Sequence, residues 1–194
     1  MAPGVREQMI DAAIVLLAQK GLPGTSFSEV LERSGAPRGS VYHHFPGGKD
    51  ELVAAAVEQA GDRAIAALEA TGPTTVVAVA EGFLDLWRQL LVYSSYGAGC
   101  SVLAVTVATD SADLLARTGT VFRGWRRSLA TLAERAGVAE DAAAAFAATL
   151  IAASEGAVVL SRAEQSADAF ELVAGSLVAQ ARLLDEGTGG GGGL

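Results

Sequence analysis

Apolar residues recur at spacings of three and four along most of the chain, and strict alternation of apolar and polar residues is nearly absent. That spacing matches one face of a 3.6-residue helix and not the two-residue repeat of a strand, so the expected fold is all-α. Alanine, 39 of 194 residues, and leucine fill these positions, which favours helices further. Two stretches, Thr74 to Val79 and Val102 to Thr109, are rich in β-branched residues and would be strands on propensity alone. Neither has a hairpin signal or a partner run nearby, so both are read as helical segments.

The first helix is expected over Val5 to Gln19, with Met9, Ala12 and Leu16 beside Ile10, Ala13 and Leu17 on a broad apolar stripe ended by Gly21, Pro23 and Gly24. Ser26-Phe27-Ser28-Glu29 reads as a capping box: Ser26 accepts from the third helical amide while Glu29 reaches back. The short helix it opens carries Phe27, Val30 and Leu31 on one face and is expected to stop at Gly35 in the left-handed conformation. Pro37 suits the first position of a third, very short helix to His44. After Pro46-Gly47-Gly48 a longer helix is expected from Lys49 to Ala70. Thr74 to Tyr93, Cys100 to Ala108, Asp113 to Ala136, Glu140 to Ser161 and Ala167 to Leu184 complete the set, and a Gly-rich tail, 187–194, is expected to be disordered.

Composition narrows the chemistry. A single cysteine, Cys100, permits no internal disulfide and no multi-cysteine zinc site. The longest uncharged run, Gln89 to Thr109, is broken by serines and glycines, and Ala142 to Ile151 is too short to span a bilayer, so a soluble protein with no membrane partner is expected. The first residues enter an amphipathic pattern directly, without a cleavable apolar leader, which places the chain in the cytoplasm as an expectation. Net charge is −8, yet residues 1–50 carry five basic and five acidic side chains, so all the net acidity lies in the remainder. An acidic body with a neutral, DNA-binding head is therefore compatible with the charge.

Two short helices joined by a Gly-containing turn within about twenty residues fit a helix-turn-helix whose second helix enters the major groove. That second helix reads Arg38-Gly39-Ser40-Val41-Tyr42-His43-His44, and only Val41 and the following Phe45 suit core anchors at i and i+4. The rest is left outward, with Gly39 allowing close backbone approach to a polar partner.

Thr25-Ser26-Phe27-Ser28-Glu29-Val30-Leu31, Gly35 to Phe45 and Lys49-Asp50-Glu51-Leu52 together resemble the DNA-binding domain of the TetR family of transcriptional regulators. The Pro-Gly-Gly-Lys sequence and Gly99-Cys100 are similar to its LmrA/YxaF-like branch. The resemblance implies a helix-turn-helix DNA-binding domain over residues 1–48, extending into the start of the helix at 49–70. It also implies a ligand-binding and dimerisation domain over 49–186. Arg38, Gly39, Ser40 and His43 become candidates for base-edge or groove-floor contact, with Arg38 suited to guanine O6 and N7. Tyr42, His44, Lys49, Thr25 and Ser26 become candidates for gripping phosphates. Tyr42 as a core aromatic and Lys49 as an ordinary solvated lysine remain alternatives. Neighbouring His43 and His44 diverge by about 100° on a helix and have no third histidine to complete a metal set, so no metal and no cofactor is expected.

The resemblance implies a small-molecule pocket in the body, where Phe83, Trp87, Tyr93, Tyr96, Phe122 and Trp125 gather most of the remaining aromatics. Phe83 and Trp87 lie four apart, as do Val121 and Trp125, a spacing that ordinary core packing also produces. Glu81, Asp85, Arg88, Gln89 and Ser101 are polar groups able to orient an effector, and Trp87 with Asp85 or Glu81 would suit a cationic aromatic one. Cys100 is a further pocket candidate, and a small buried hydrophobe on the alternative reading. The last two helices are apolar on more than one face. Phe146, Leu150, Ala153 and Ala157 on one, and Phe170, Val173, Leu177 and Ala181 on the other, are the expected interface of a homodimer. A repressor is expected that binds a palindromic operator in double-stranded DNA as a homodimer and is released by a small-molecule effector. The alternatives are a helical ligand-binding protein without operator binding and a helical enzyme. The second lacks a Glu-x-x-His pair, a phosphate-cradling loop with lysine, and a Ser, His and Asp set at supportive spacing.

Overall fold

The computed structural model describes residues 4–189, which contain helices and no strand. Residues 1–3 and 190–194 lie outside the described residues, and with the latter most of the Gly-rich tail expected to be disordered. In chain order come α1 (Val5–Lys20), α2 (Phe27–Ser34), a 3₁₀ turn (Arg38–Ser40) continuing into α3 (Val41–His44), and α4 (Lys49–Ala70). They are followed by α5 (Val76–Tyr93), α6 (Ser101–Thr106), α7 (Ala112–Arg135), α8 (Glu140–Glu164) and α9 (Asp168–Gly189). Both β-branched stretches enter helices because their starts are capped. Thr75 Oγ1 accepts from Ala78 N at 3.1 Å, and Cys100 Sγ accepts from Leu103 N at 3.3 Å. Asp185 supplies a distant second cap, accepting from Val76 N at 2.7 Å and Val77 N at 3.0 Å.

Two compact units form, and they do not follow chain order. One takes the chain up to Arg63 together with Ala98–Phe122; the other takes Ala64–Gly97 together with the chain from Arg123 on. In the first unit the core is built from Met9, Leu17, Val30, Val41, Phe45, Leu52, Val102, Val105 and Leu114. α6 belongs there because Gly99 N donates to Ala18 O at 2.9 Å, bringing the turn before α6 onto the end of α1. In the second unit Phe83, Leu84, Leu129, Phe146, Leu150, Phe170 and Leu177 are buried together with Trp87 and Trp125.

α9 runs three residues into the segment expected to be disordered. Thr188 Oγ1 donates to Asp185 O at 2.7 Å, and a Cβ at Gly137 would lie 3.3 Å from Thr188 Cβ, so this last turn has contacts to hold it. α8 is the longest helix described, at 25 residues, with an 18-residue window of mean hydropathy 1.8 of which 50% is buried. Half of that apolar window is therefore not buried within the chain.

Candidate nucleic-acid interface and sensor body

The helix-turn-helix is assembled by local chemistry. Ser26 takes an extended conformation at the start of α2 and its Oγ accepts from Glu29 N at 3.2 Å. The reciprocal half of the expected capping box is absent, because the Glu29 carboxylate turns to Lys20 Nζ at 2.6 Å. A full ammonium charge outcompetes a neutral amide for that carboxylate. Gly35 closes α2 at φ 68°, ψ 11°, and its N–H donates to Leu31 O at 3.0 Å. Pro37 sits one residue earlier than expected, as the cap of the 3₁₀ turn, where its carbonyl accepts from Ser40 N at 2.9 Å and Ser40 Oγ at 2.6 Å.

From Arg38 to Phe45 the chain turns two side chains inward, leaves Ser40 and His44 half-buried and exposes the rest. Val41 is buried, as is the following Phe45, whose ring carries the Arg6 guanidinium 5.2 Å from its centroid. Tyr42 is 71% exposed, with its ring edge against Phe27 at 5.9 Å. This rules out Tyr42 as a core aromatic. His43 is exposed and His44 half-buried, their rings edge to face at 5.1 Å. Gly39 is exposed, and a Cβ built on it meets nothing within 4 Å.

The cations of this unit are largely engaged. Arg63 pairs with Asp11 at 2.7 Å, and Arg117 pairs with Glu58 at 2.6 Å and Asp113 at 2.8 Å. Hydrogen bonds to Asp113 and then Glu58 push the Arg117 guanidinium further above its usual range. Lys49 Nζ donates to Leu22 O at 2.9 Å. Among the described residues Arg33 and Arg38 are exposed and form no ion pair with the chain. Arg38 is the one on the recognition segment, with its five donors open to an outside acceptor.

Thr25 behaves differently from the expectation. It is 1% exposed, its hydroxyl donates to Gly21 O at 2.9 Å and its N–H to Leu22 O at 3.3 Å. Both of its donors are directed into the protein, whereas neighbouring Ser26, at the start of α2, is exposed. Phe27, the platform for Tyr42, was singled out in the sequence only as a core residue.

In the second unit Phe83, Trp87 and Trp125 form a triangle of rings with centroids 6.1, 6.2 and 6.4 Å apart, every pair edge to face. Tyr93 is 86% exposed, while Phe122 and Cys100 belong to the first unit, Cys100 as the buried cap of α6. Tyr96 borders an open cleft of about 400 Å³ with Val159, Arg162 and Gln165. Glu81 and Asp85 are held by Arg88 at 3.0 and 2.7 Å, and Glu171 holds the same guanidinium at 2.9 Å, over the Phe170 ring. Glu171 above all, then Asp85 and Glu81, raise the Arg88 pKa against the opposing effect of burial. Glu81 and Asp85 are thus engaged by Arg88 on their own helix, and the Arg88–Glu171 pair ties α5 to α9. Glu155, an acid inside an apolar run that the sequence reading passed over, is the buried carboxylate of this unit.

The expected interface residues also divide. Phe146, Leu150, Ala157, Phe170, Leu177 and Ala181 are buried within the chain itself, and Ala153 and Val173 are half-buried. Among the residues that α8 and α9 leave outward are Thr149, Ala152, Gly156, Val159, Leu160, Leu172 and Leu183.

Residues 9–56 match the bacterial regulatory proteins of the tetR family, and residues 76–176 match the C-terminal domain of LmrA/YxaF-like transcriptional regulators. An HTH-type transcriptional regulator of Mycobacterium tuberculosis H37Rv is 35% identical over 178 residues, covering 88% of this chain and 90% of that protein. LmrA of Bacillus subtilis 168 is 44% identical over 54 residues, 28% of this chain and 29% of its own. Among solved structures, a TetR transcriptional regulator from Legionella pneumophila superposes with a TM-score of 0.82 at 19% identity, over 93% of this chain and 100% of that one. The exposed recognition segment on its buried anchors and the near full-length relative lead to one assignment: the chain belongs to the TetR family of helix-turn-helix transcriptional regulators, with an LmrA/YxaF-like C-terminal domain.

Proposed function

We propose that the chain is a repressor that binds a palindromic operator as a homodimer and is released by a small-molecule effector. The observation that carries the DNA-binding part is the division of residues 38–45: Val41 and Phe45 are buried, while Arg38, Gly39, Tyr42 and His43 are exposed. Arg38 reads a guanine edge, and Gly39, Ser40 and His43 line the groove floor beside it. Ser26, Tyr42, His44 and Lys49 hold phosphates on either side and set the register without reading sequence. With equal numbers of acids and bases in residues 1–50, long-range attraction is weak, so affinity depends on placed contacts and on two heads acting together.

The second copy is placed on the outward faces of α8 and α9. Thr149, Ala152, Gly156 and Val159 recur at three and four along α8, and small residues on such a stripe let two helices cross closely. A two-fold pairing there presents the two heads to successive major grooves. The effector is placed at the Phe83, Trp87 and Trp125 cluster. α4 has residues in both units and carries the response toward Lys49 at its start, so effector and operator affinities are reciprocally coupled. A repressor of this kind works in the cytoplasm, where its operator is.

Selection of bound sequences from a random duplex pool, repeated at several salt concentrations, tests this reading. A recovered palindrome with half-sites about one helical turn or more apart is expected. Recovery of nothing above non-specific background from folded, dimeric protein would overturn it in favour of a ligand-binding protein.

A further inference from the structure

We infer that the effector is a neutral, largely apolar molecule that presents a carbonyl or ether oxygen to the indole Nε1–H of Trp87. The inference rests on the reading of the second unit as the sensor and names the chemistry that unit accepts. Trp87 is only 7% exposed, and its Nε1 has no hydrogen-bond partner among the described residues. A buried donor left unmet is unfavourable by the full cost of stripping its water, whereas a ligand acceptor restores the bond.

The surroundings decide what kind of acceptor fits. Phe83 and Trp125 meet the Trp87 ring edge to face, so the cluster already supplies apolar contact. An indole nitrogen donates and never accepts, so the demand of this site is for an acceptor and not a donor. An anion would also accept, but a buried charge needs a counter-charge. Arg88 is the one cation on α5, and Glu81, Asp85 and Glu171 already surround it. A neutral oxygen is the acceptor that Trp87 can take without that penalty. Ser161 Oγ on α8 is also buried without a partner, but a hydroxyl both gives and accepts and sets no class.

The chain has two tryptophans, both in the cluster, so ¹⁵N-labelled protein gives two side-chain indole signals, assigned by Trp87→Phe and Trp125→Phe. The probes are acetophenone and isopropylbenzene, similar in size and differing in the carbonyl oxygen. Acetophenone is expected to move the Trp87 indole proton downfield and to bind roughly five-fold more tightly, the usual net worth of one hydrogen bond. Trp87→Phe is expected to keep a ring and lose the preference. If that variant does not fold, the shift in the wild-type protein still decides. Equal binding of both probes with the Trp87 proton unmoved, as when a resident water already satisfies Nε1, overturns the proposal and leaves the sensor reading standing. Failure of both probes to disturb either indole signal overturns the proposal and the sensor reading together.

Discussion

Lys49 Nζ donates to the carbonyl oxygen of Leu22 at 2.9 Å, across 27 residues, and so ties the start of α4 to the turn between α1 and α2. An ammonium has three donors and this contact uses one. Lys49 thus has a positioning role within the chain and enough hydrogen-bonding capacity to meet a phosphate as well. Lys49→Met is expected to weaken binding to specific and unrelated duplexes alike and to lower the slope of log K against log salt by about one. Filter binding across a salt series measures both. An unchanged slope with weaker binding would assign Lys49 to positioning alone.

Arg38 is exposed, without an ion pair among the described residues, on the segment that the buried anchors Val41 and Phe45 hold in place. Removing it takes nothing from the fold. Arg38→Ala is expected to leave the melting temperature unchanged, to cost about 1–3 kcal/mol in operator affinity and to relax preference at one base position of each half-site. Selection repeated with the variant reads this directly, and a recovered site unchanged at every position would remove Arg38 from base reading.

Gly39 gives the clearest separation of folding from binding. A Cβ there meets no atom within 4 Å, so the fold has no steric use for glycine, which costs roughly 0.5–1 kcal/mol against alanine in a helical turn. Gly39→Leu is expected to keep or slightly raise thermal stability while lowering operator affinity at least about ten-fold, because the side chain stands where the groove must approach. Retention of wild-type affinity would show that DNA keeps its distance from residue 39.

The outward face of α8 can be tested in the same manner. Gly156 is exposed and has open space around its Cα, whereas neighbouring Ala157 is buried. Gly156→Glu is expected to give a folded monomer by sedimentation, with weakened operator binding, since a carboxylate cannot be buried unpaired between two helices. A variant still dimeric at nanomolar concentration would move the interface elsewhere.

How much of this was legible in the sequence depends on the range of the interaction. Ser26 as a cap, Gly35 as a left-handed stop, and Val41 with Phe45 as anchors are settled within four residues, and the structure has them so. Glu29 and Thr25 were misread because their partners, Lys20 and Gly21, come from the preceding helix and its end, which a local motif does not weigh. Periodicity likewise shows which side chains share a helical face, not which neighbour covers it. Phe146 and Leu150 on α8 and Phe170 on α9 lie on apolar stripes that packing within the second unit already consumes. The outward side of α8, proposed for a second copy, mixes small residues such as Ala152 and Gly156 with Val159 and Leu160, a weaker signal than a stripe of large apolar ones.

Asp185 is the case with no sequence signal, because it stands 109 residues from the helix start it caps. Its two carboxylate oxygens accept from Val76 N at 2.7 Å and Val77 N at 3.0 Å, meeting two of the amides that no helical carbonyl can reach. The carboxylate also faces the positive end of α5. Asp185→Ala removes both bonds and leaves partly buried donors unmet, for an expected loss of about 2 kcal/mol. Asp185→Asn keeps one oxygen and is expected to lose about half as much. Urea unfolding followed by circular dichroism measures both, with the slope against urea unchanged if the folded state keeps its extent. The stretch from Thr74 to Val79 has strand-like propensity, so this distant cap also selects its helical form. An alanine variant within about 0.5 kcal/mol of the parent would mean that Thr75 alone suffices to start α5.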